Sequence, residues 1–258
     1  MWALEPVLLL VFRVLTNSKN KQISSNLSFV IPFNQIHDRA YFFLKKMSNP
    51  TYSIKEEKLN VLTHAIGLAL SIIALPFLII RANQIGSWLE IVSFGVFGVS
   101  MIVLYAASTF YHNSTNEARR KKLNIFDHAS IYVLIAGTYT PLVLVTLHGT
   151  VGWVLFGVTW GFALVGVILK LFFTGKYDLV STIMYVLMGW IIVFAIKPLI
   201  ANLATLGLYW LFAGGISYTI GAILYKWKGL KYNHAIFHVF VLLGTFCHFI
   251  SVYIYVVW

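Results

Sequence analysis

Seven stretches of this chain, roughly residues 61–80, 88–111, 126–147, 151–173, 180–200, 205–225 and 234–257, each run for about twenty residues with almost no charge. A helix rises about 1.5 Å per residue, so some 20 apolar residues cross the roughly 30 Å hydrocarbon core of a bilayer. The segments between the runs are short, which makes the helices neighbours in one antiparallel bundle. The expected fold is therefore all-α, a bundle of seven transmembrane helices. Composition agrees: 59% of the 258 residues are hydrophobic and 10% charged, outside the range of soluble globular domains.

The formal charge of +11 would in a soluble protein suggest nucleic acid. Here the basic residues sort by loop. Arg13, Lys19, Lys21, Arg39, Lys45, Lys46, Lys55 and Lys58 precede the first run; Arg119, Arg120, Lys121 and Lys122 follow the second. Lys170 and Lys176 close the fourth, and Lys226, Lys228 and Lys231 follow the sixth, so 17 of the 19 Lys and Arg lie on one side, against Arg81 and Lys197. Short basic loops stay in the cytoplasm, which predicts a cytoplasmic N-terminus, an outer C-terminus and no nucleic-acid partner. The lone cysteine, Cys247, sits in an apolar run and cannot form an internal disulfide. Residues 1–50 are expected to be a poorly ordered cytoplasmic extension, with residues 51–258 forming the membrane domain; a start at Met47 would lead directly into that domain.

Ionisable side chains inside spans cost about 2.5–3.5 kcal/mol each when charged at the bilayer centre, so each asks for a reason. His112 ends the second run, Asp127 opens the third, and His234 and His238 open the seventh. By the topology above, all four share one depth near the cytoplasmic boundary. His234 and His238, at i and i+4, present both imidazoles to one point, as two nitrogen ligands of a metal would require. A plainer role for the pair is hydrogen bonding to loops and headgroups at the interface. His112 supplies a third imidazole, and Ser108 lies one turn before it. Three neutral nitrogens with an open fourth position are the donor set of a catalytic rather than a structural zinc site. Asp127 is placed to offset the ion's charge, to hold bound water or to accept a ligand's ring N–H; as a plain alternative it caps the third helix.

A further polar stripe, Glu57, Asn60 and His64, lies on one face at the start of the first span. His64 is expected to be a hydrogen-bonding brace between helices rather than a ligand. His128 and His148 have weaker claims, and His248, about 15 Å deeper than His238, is expected to make a buried hydrogen bond. Gly137 should allow close helix approach and Pro141 should kink the third span. Trp88, Trp153, Trp190, Trp210 and Trp227 are expected to be interfacial anchors.

Four ordered motifs, "EEKLNVLTHAIG", "STFYH", "FDHASIYVLIAGTYTP" and "NHAIFH", make residues 55–258 similar to bacterial hemolysin III proteins. That family lies in the superfamily of the progestin and adipoQ receptors and, more remotely, the alkaline ceramidases. The resemblance implies seven helices with the N-terminus inside, and zinc on His112, His234 and His238 with Ser108 and Asp127 close by. Activity is less constrained. A zinc-dependent hydrolase of a lipid amide or ester, affecting membrane lipid homeostasis, is one expectation, with Asp127 and Ser108 in catalytic roles. A membrane-perturbing cytolysin or pore former, and a receptor-like lipid-sensing scaffold with structural zinc, are the others. Membrane lipids are the expected partners, with no soluble partner implied and oligomerisation left open. The expected location is the cell membrane of a bacterium.

Overall fold

A computed structural model of the chain describes residues 52–256. The extension predicted over residues 1–50 lies outside the described residues. Among those described there are eight α-helices and no strand: α1 Ile54–Ile85, α2 Trp88–Asn113, α3 Glu117–Pro141, α4 Gly149–Phe173, α5 Asp178–Gly189, α6 Ile196–Asn202, α7 Thr205–Lys226 and α8 Asn233–Ile250. With α5 and α6 as two parts of one crossing, these make seven helical segments long and apolar enough to span a membrane. All seven predicted runs are present. Their flanks are apolar too, with Phe194, Phe172 and Trp88 largely exposed, as a lipid-facing surface requires.

Local chemistry explains most boundaries. Ser53 caps α1 by accepting from the Glu56 N–H at 3.2 Å, within a Ser-x-x-Glu capping sequence, and Gly86 ends the helix in the left-handed conformation at φ 103°. Ser87 then caps α2 at once. Asn116 caps α3, accepting from Arg119 N–H at 3.0 Å. The third span therefore begins at Glu117, well before Asp127, which lies inside the helix and does not cap it. The basic turns that the hydropathy reading left in a loop are helical because Asn116 supplies the start signal.

Two spans depart from regular α-helix. After Pro141 the third span continues as a π-helical turn, Leu142–Thr146. The expected kink thus takes the form of a widened turn, which Pro141 favours by withholding an N–H. It brings the Val143 carbonyl against Gly152 of α4, where an added Cβ would stand 2.1 Å from that oxygen. The fifth span, predicted continuous over 180–200, is broken: α5 stops at Gly189 and a 3₁₀ segment, Ile191–Ala195, leads into α6. Tyr139 of α3 repairs the break, its hydroxyl donating to the Gly189 carbonyl at 2.9 Å and accepting from the Ile192 N–H at 2.9 Å. In hydrocarbon such freed backbone groups need an internal partner. Trp190 sits at this break rather than at a span end, donating from its indole N–H to Thr219 at 3.0 Å, so it is not an interfacial anchor.

Packing runs in sequence order from α1 to α4, and α5 rests on α3 and α7. The ring is closed by α7 against α8 and α8 against α1. Gly137 of α3 meets α2 closely, with a Cβ there only 2.2 Å from Ser100 Oγ, as its lack of a side chain led us to expect. First and last helices thus lie side by side, which decides where the polar residues meet.

Candidate metal centre

The inward face of α2 carries Leu104, Tyr105, Ser108, Tyr111 and His112, and that of α8 carries His234, His238, Val241 and Thr245. Both follow the three-and-four spacing of a buried helical seam. Because α8 runs antiparallel to α2 beside α1, the C-terminal end of one seam meets the N-terminal end of the other. His112, His234 and His238 are 4%, 6% and 1% exposed. One ring nitrogen from each lies within 4.8 Å of the others, and His112 Nε2 stands 3.1 Å from His234 Nε2. These three buried histidines could hold a metal ion.

Whether the donors suit an ion depends on their other nitrogens. His112 Nδ1 faces Glu57 Oε2 at 2.7 Å, and His238 Nδ1 faces the Asn60 carbonyl at 3.3 Å. A carboxylate and a carbonyl only accept, so both Nδ1 atoms carry the proton and both Nε2 atoms keep a free lone pair. His234 Nδ1 lies 3.0 Å from the Tyr52 hydroxyl, which can accept or donate; burial pushes this phenol well above its ordinary pKa, so it stays neutral. The tautomer of His234 can therefore follow whatever its Nε2 side demands. Two nitrogens each about 2.0–2.1 Å from one zinc ion are at most some 4.2 Å apart, a limit the 3.1 Å pair already meets. Imidazole ligands whose outer N–H groups are held by carboxylate, carbonyl and hydroxyl are the arrangement that metal sites use to fix ring orientation.

The carboxylate on a donor histidine is Glu57, not Asp127. Glu57 also pairs with Arg120, whose guanidinium donates to the carbonyls of Tyr111, His112 and Ser114 at 3.2–3.4 Å. Thus Arg120 closes the C-terminal end of α2 while holding Glu57 against His112. The Glu57–Asn60 stripe was visible in the sequence, but its register with His112 was not. Tyr52 precedes the first apolar run and gave no signal. Asp127, on α3, is partly buried, and the buried Ser108 hydroxyl of α2 has no hydrogen-bond partner.

His64 departs from expectation. Neither ring nitrogen has a hydrogen-bond partner; instead its ring stacks on His238, 3.5 Å between centroids and 13° from parallel, with Tyr105 edge-on at 5.1 Å. Hydrogen bonding to α8 is pre-empted because His238 Nδ1 is already taken by Asn60 and Thr63. His248 does make its expected buried bond, to the Leu211 carbonyl at 3.1 Å.

Behind the histidines lies a cavity of about 140 Å³ whose wall includes His64, Asp127, His234 and His238 at one end and Trp190 and His248 at the other. Of its lining residues, His238 and His248 are separated by about 15 Å of helical rise along the seventh span.

A model of the family described as haemolysin-III related matches residues 52–249. The chain belongs to that family. One relative is the "Hemolysin-3 homolog" of Bacillus subtilis (strain 168), 49% identical over 206 residues, covering 80% of this chain and 97% of that protein. "Hemolysin-3" of Bacillus cereus is 47% identical over 212 residues, covering 82% and 97%. The human "Monocyte to macrophage differentiation factor" is 25% identical over 207 residues, covering 78% and 84%. This haemolysin-III-related chain is a multi-pass membrane protein, and the four motifs that suggested the family all fall inside the matched region.

Proposed function

We propose that the chain is an intramembrane zinc-dependent hydrolase acting on an amide or ester of a membrane lipid. The observation that carries this reading is the convergence of one ring nitrogen from each of three buried histidines beside a cavity with Asp127 in its wall. Bound by His112, His234 and His238, zinc would supply a Lewis acid for the carbonyl and bring the pKa of water at the site to about 7. Glu57, Asn60 and Tyr52 hold the three rings in the orientation that such a donor set needs. Asp127 serves as the proton acceptor at the same end of the cavity, with the unpartnered Ser108 hydroxyl as a further polar group beside the ligand His112. The apolar depth behind takes the acyl chain and keeps bulk water from the site. The excess of basic residues beside this end supports a position at the cytoplasmic face of a bacterial cell membrane.

The ties from the histidines to Glu57, Asn60 and Tyr52 also suit a second reading, in which a structural metal binds α1, α2 and α8 into a lipid-sensing scaffold. Asp127→Asn separates the two: purified protein should keep about one zinc per chain, the content expected of a single three-histidine site, and lose lipid turnover, read by lipidomics of reconstituted vesicles. Undiminished turnover would move the assignment to the scaffold. Dye leakage from vesicles carrying the wild-type protein would instead support membrane perforation.

A further inference from the structure

The buried positions of α4 are Gly152, Leu155, Thr159, Ala163, Gly166 and Lys170. Steps of three and four draw one inward seam, and Lys170 is its last member. A lysine that only marked a membrane boundary would turn outward and carry its ammonium to the headgroups. This one is 3% exposed and forms part of the cavity wall. Its ammonium makes no hydrogen bond and has no carboxylate within 4.0 Å among the described residues; the nearest ring, Tyr185, is 5.9 Å away at its centroid.

Two more charges share the neighbourhood, Asp178 at the start of α5 and Lys226 at the end of α7, both near enough to act on Lys170 electrostatically. Together the three carry one net positive charge. Asp178 Oδ1 is also buried without a hydrogen-bond partner. A buried ammonium with open donors, whose neighbouring carboxylate stands beyond ion-pair distance, is costly unless an anion meets it.

We infer that Lys170 anchors a headgroup subsite, so that the cavity takes an anionic amphiphile with its carboxylate or phosphate on Lys170 and its acyl chain along the apolar walls toward Trp190. The buried Asp178 oxygen is available to a hydroxyl on the same head. Nothing in this subsite depends on cleavage of the ligand or on a metal.

The test uses the full chain in detergent and radiolabelled oleoyl lysophosphatidate, displaced by oleate, by mono-oleoylglycerol and by inorganic phosphate. Wild type should prefer both anionic oleoyl ligands to the neutral one by about tenfold or more, the worth of a charge-assisted hydrogen bond. Lys170→Met should erase that preference, and Lys170→Arg should keep it. Equal affinity of wild type for charged and neutral heads would overturn the proposal, and this arm decides even if Lys170→Met fails to fold. A preference that survives Lys170→Met would overturn it as well, as would displacement by inorganic phosphate at the lipid's own concentration, which marks a small-anion site. His112→Ala should lose metal and any turnover yet keep the headgroup preference, so failure of the hydrolase reading and failure of this one are distinguishable.

Discussion

The cavity has two unlike walls. Where α1, α2 and α8 meet, the three candidate ligands have their outer nitrogens engaged: Glu57 on His112, Asn60 on His238, Tyr52 on His234. Across the cavity, α4, α5 and α7 present Lys170 without an ion pair and Asp178 with an orphaned oxygen, next to a span that breaks at Gly189. The difference teaches a division of labour. A ligand set that must grip one ion gains from rings fixed in advance, whereas a surface that receives and releases a guest keeps polar capacity unspent until the guest arrives.

The contrast is broken most directly at the histidines. His112→Ala, His234→Ala and His238→Ala should each abolish metal binding, measured as metal per chain on the purified protein; retention in all three would remove the distinction between the walls. A smaller effect is expected of Glu57→Gln, which leaves all three ligands in place but weakens the hold on His112. Metal affinity, measured by chelator competition, should fall about 10- to 100-fold, while Asp178→Asn on the far wall should leave it unchanged.

Two further variants probe stability. Gly152→Ala drives a methyl into the Val143 carbonyl and should cost about 1–3 kcal/mol by overpacking, read as a lower thermal midpoint in detergent. Tyr139→Phe removes both bonds that stitch the fifth span, each worth about 0.6 kcal/mol on average in membranes. The midpoint should drop modestly and metal content should not change. Smallest is Tyr52→Phe, which should lower metal affinity only a few-fold, because His234 Nδ1 loses a neutral partner rather than a charged one.

Much of this is legible in the amino-acid sequence. Hydrocarbon thickness imposes run length, so the seven spans and their order emerge from hydropathy alone, and i, i+4 spacing paired His234 with His238. Which carboxylate meets His112 was not legible, because Glu57 and Asp127 sit at similar depth on different helices and only the α1–α2 register chooses between them. The inward turn of Lys170 was written in the small residues spaced before it, Gly152, Thr159, Ala163 and Gly166, yet a lysine near a span end reads equally well as a topology signal. The break in the fifth span had no local signature strong enough to find, since its repair comes from Tyr139, fifty residues away.

Placing the first and last helices side by side has a consequence for how the protein is made. His112 and His234 are separated by 122 residues, and a ribosome adding about 5–20 residues per second needs roughly 6–24 s to pass from one to the other. During that interval the nascent chain holds Glu57, Arg120 and His112, half of the candidate metal centre. Only when α8 enters the lipid do His234 and His238 arrive, so the candidate ligand set is incomplete until the last of the seven described spans is in place.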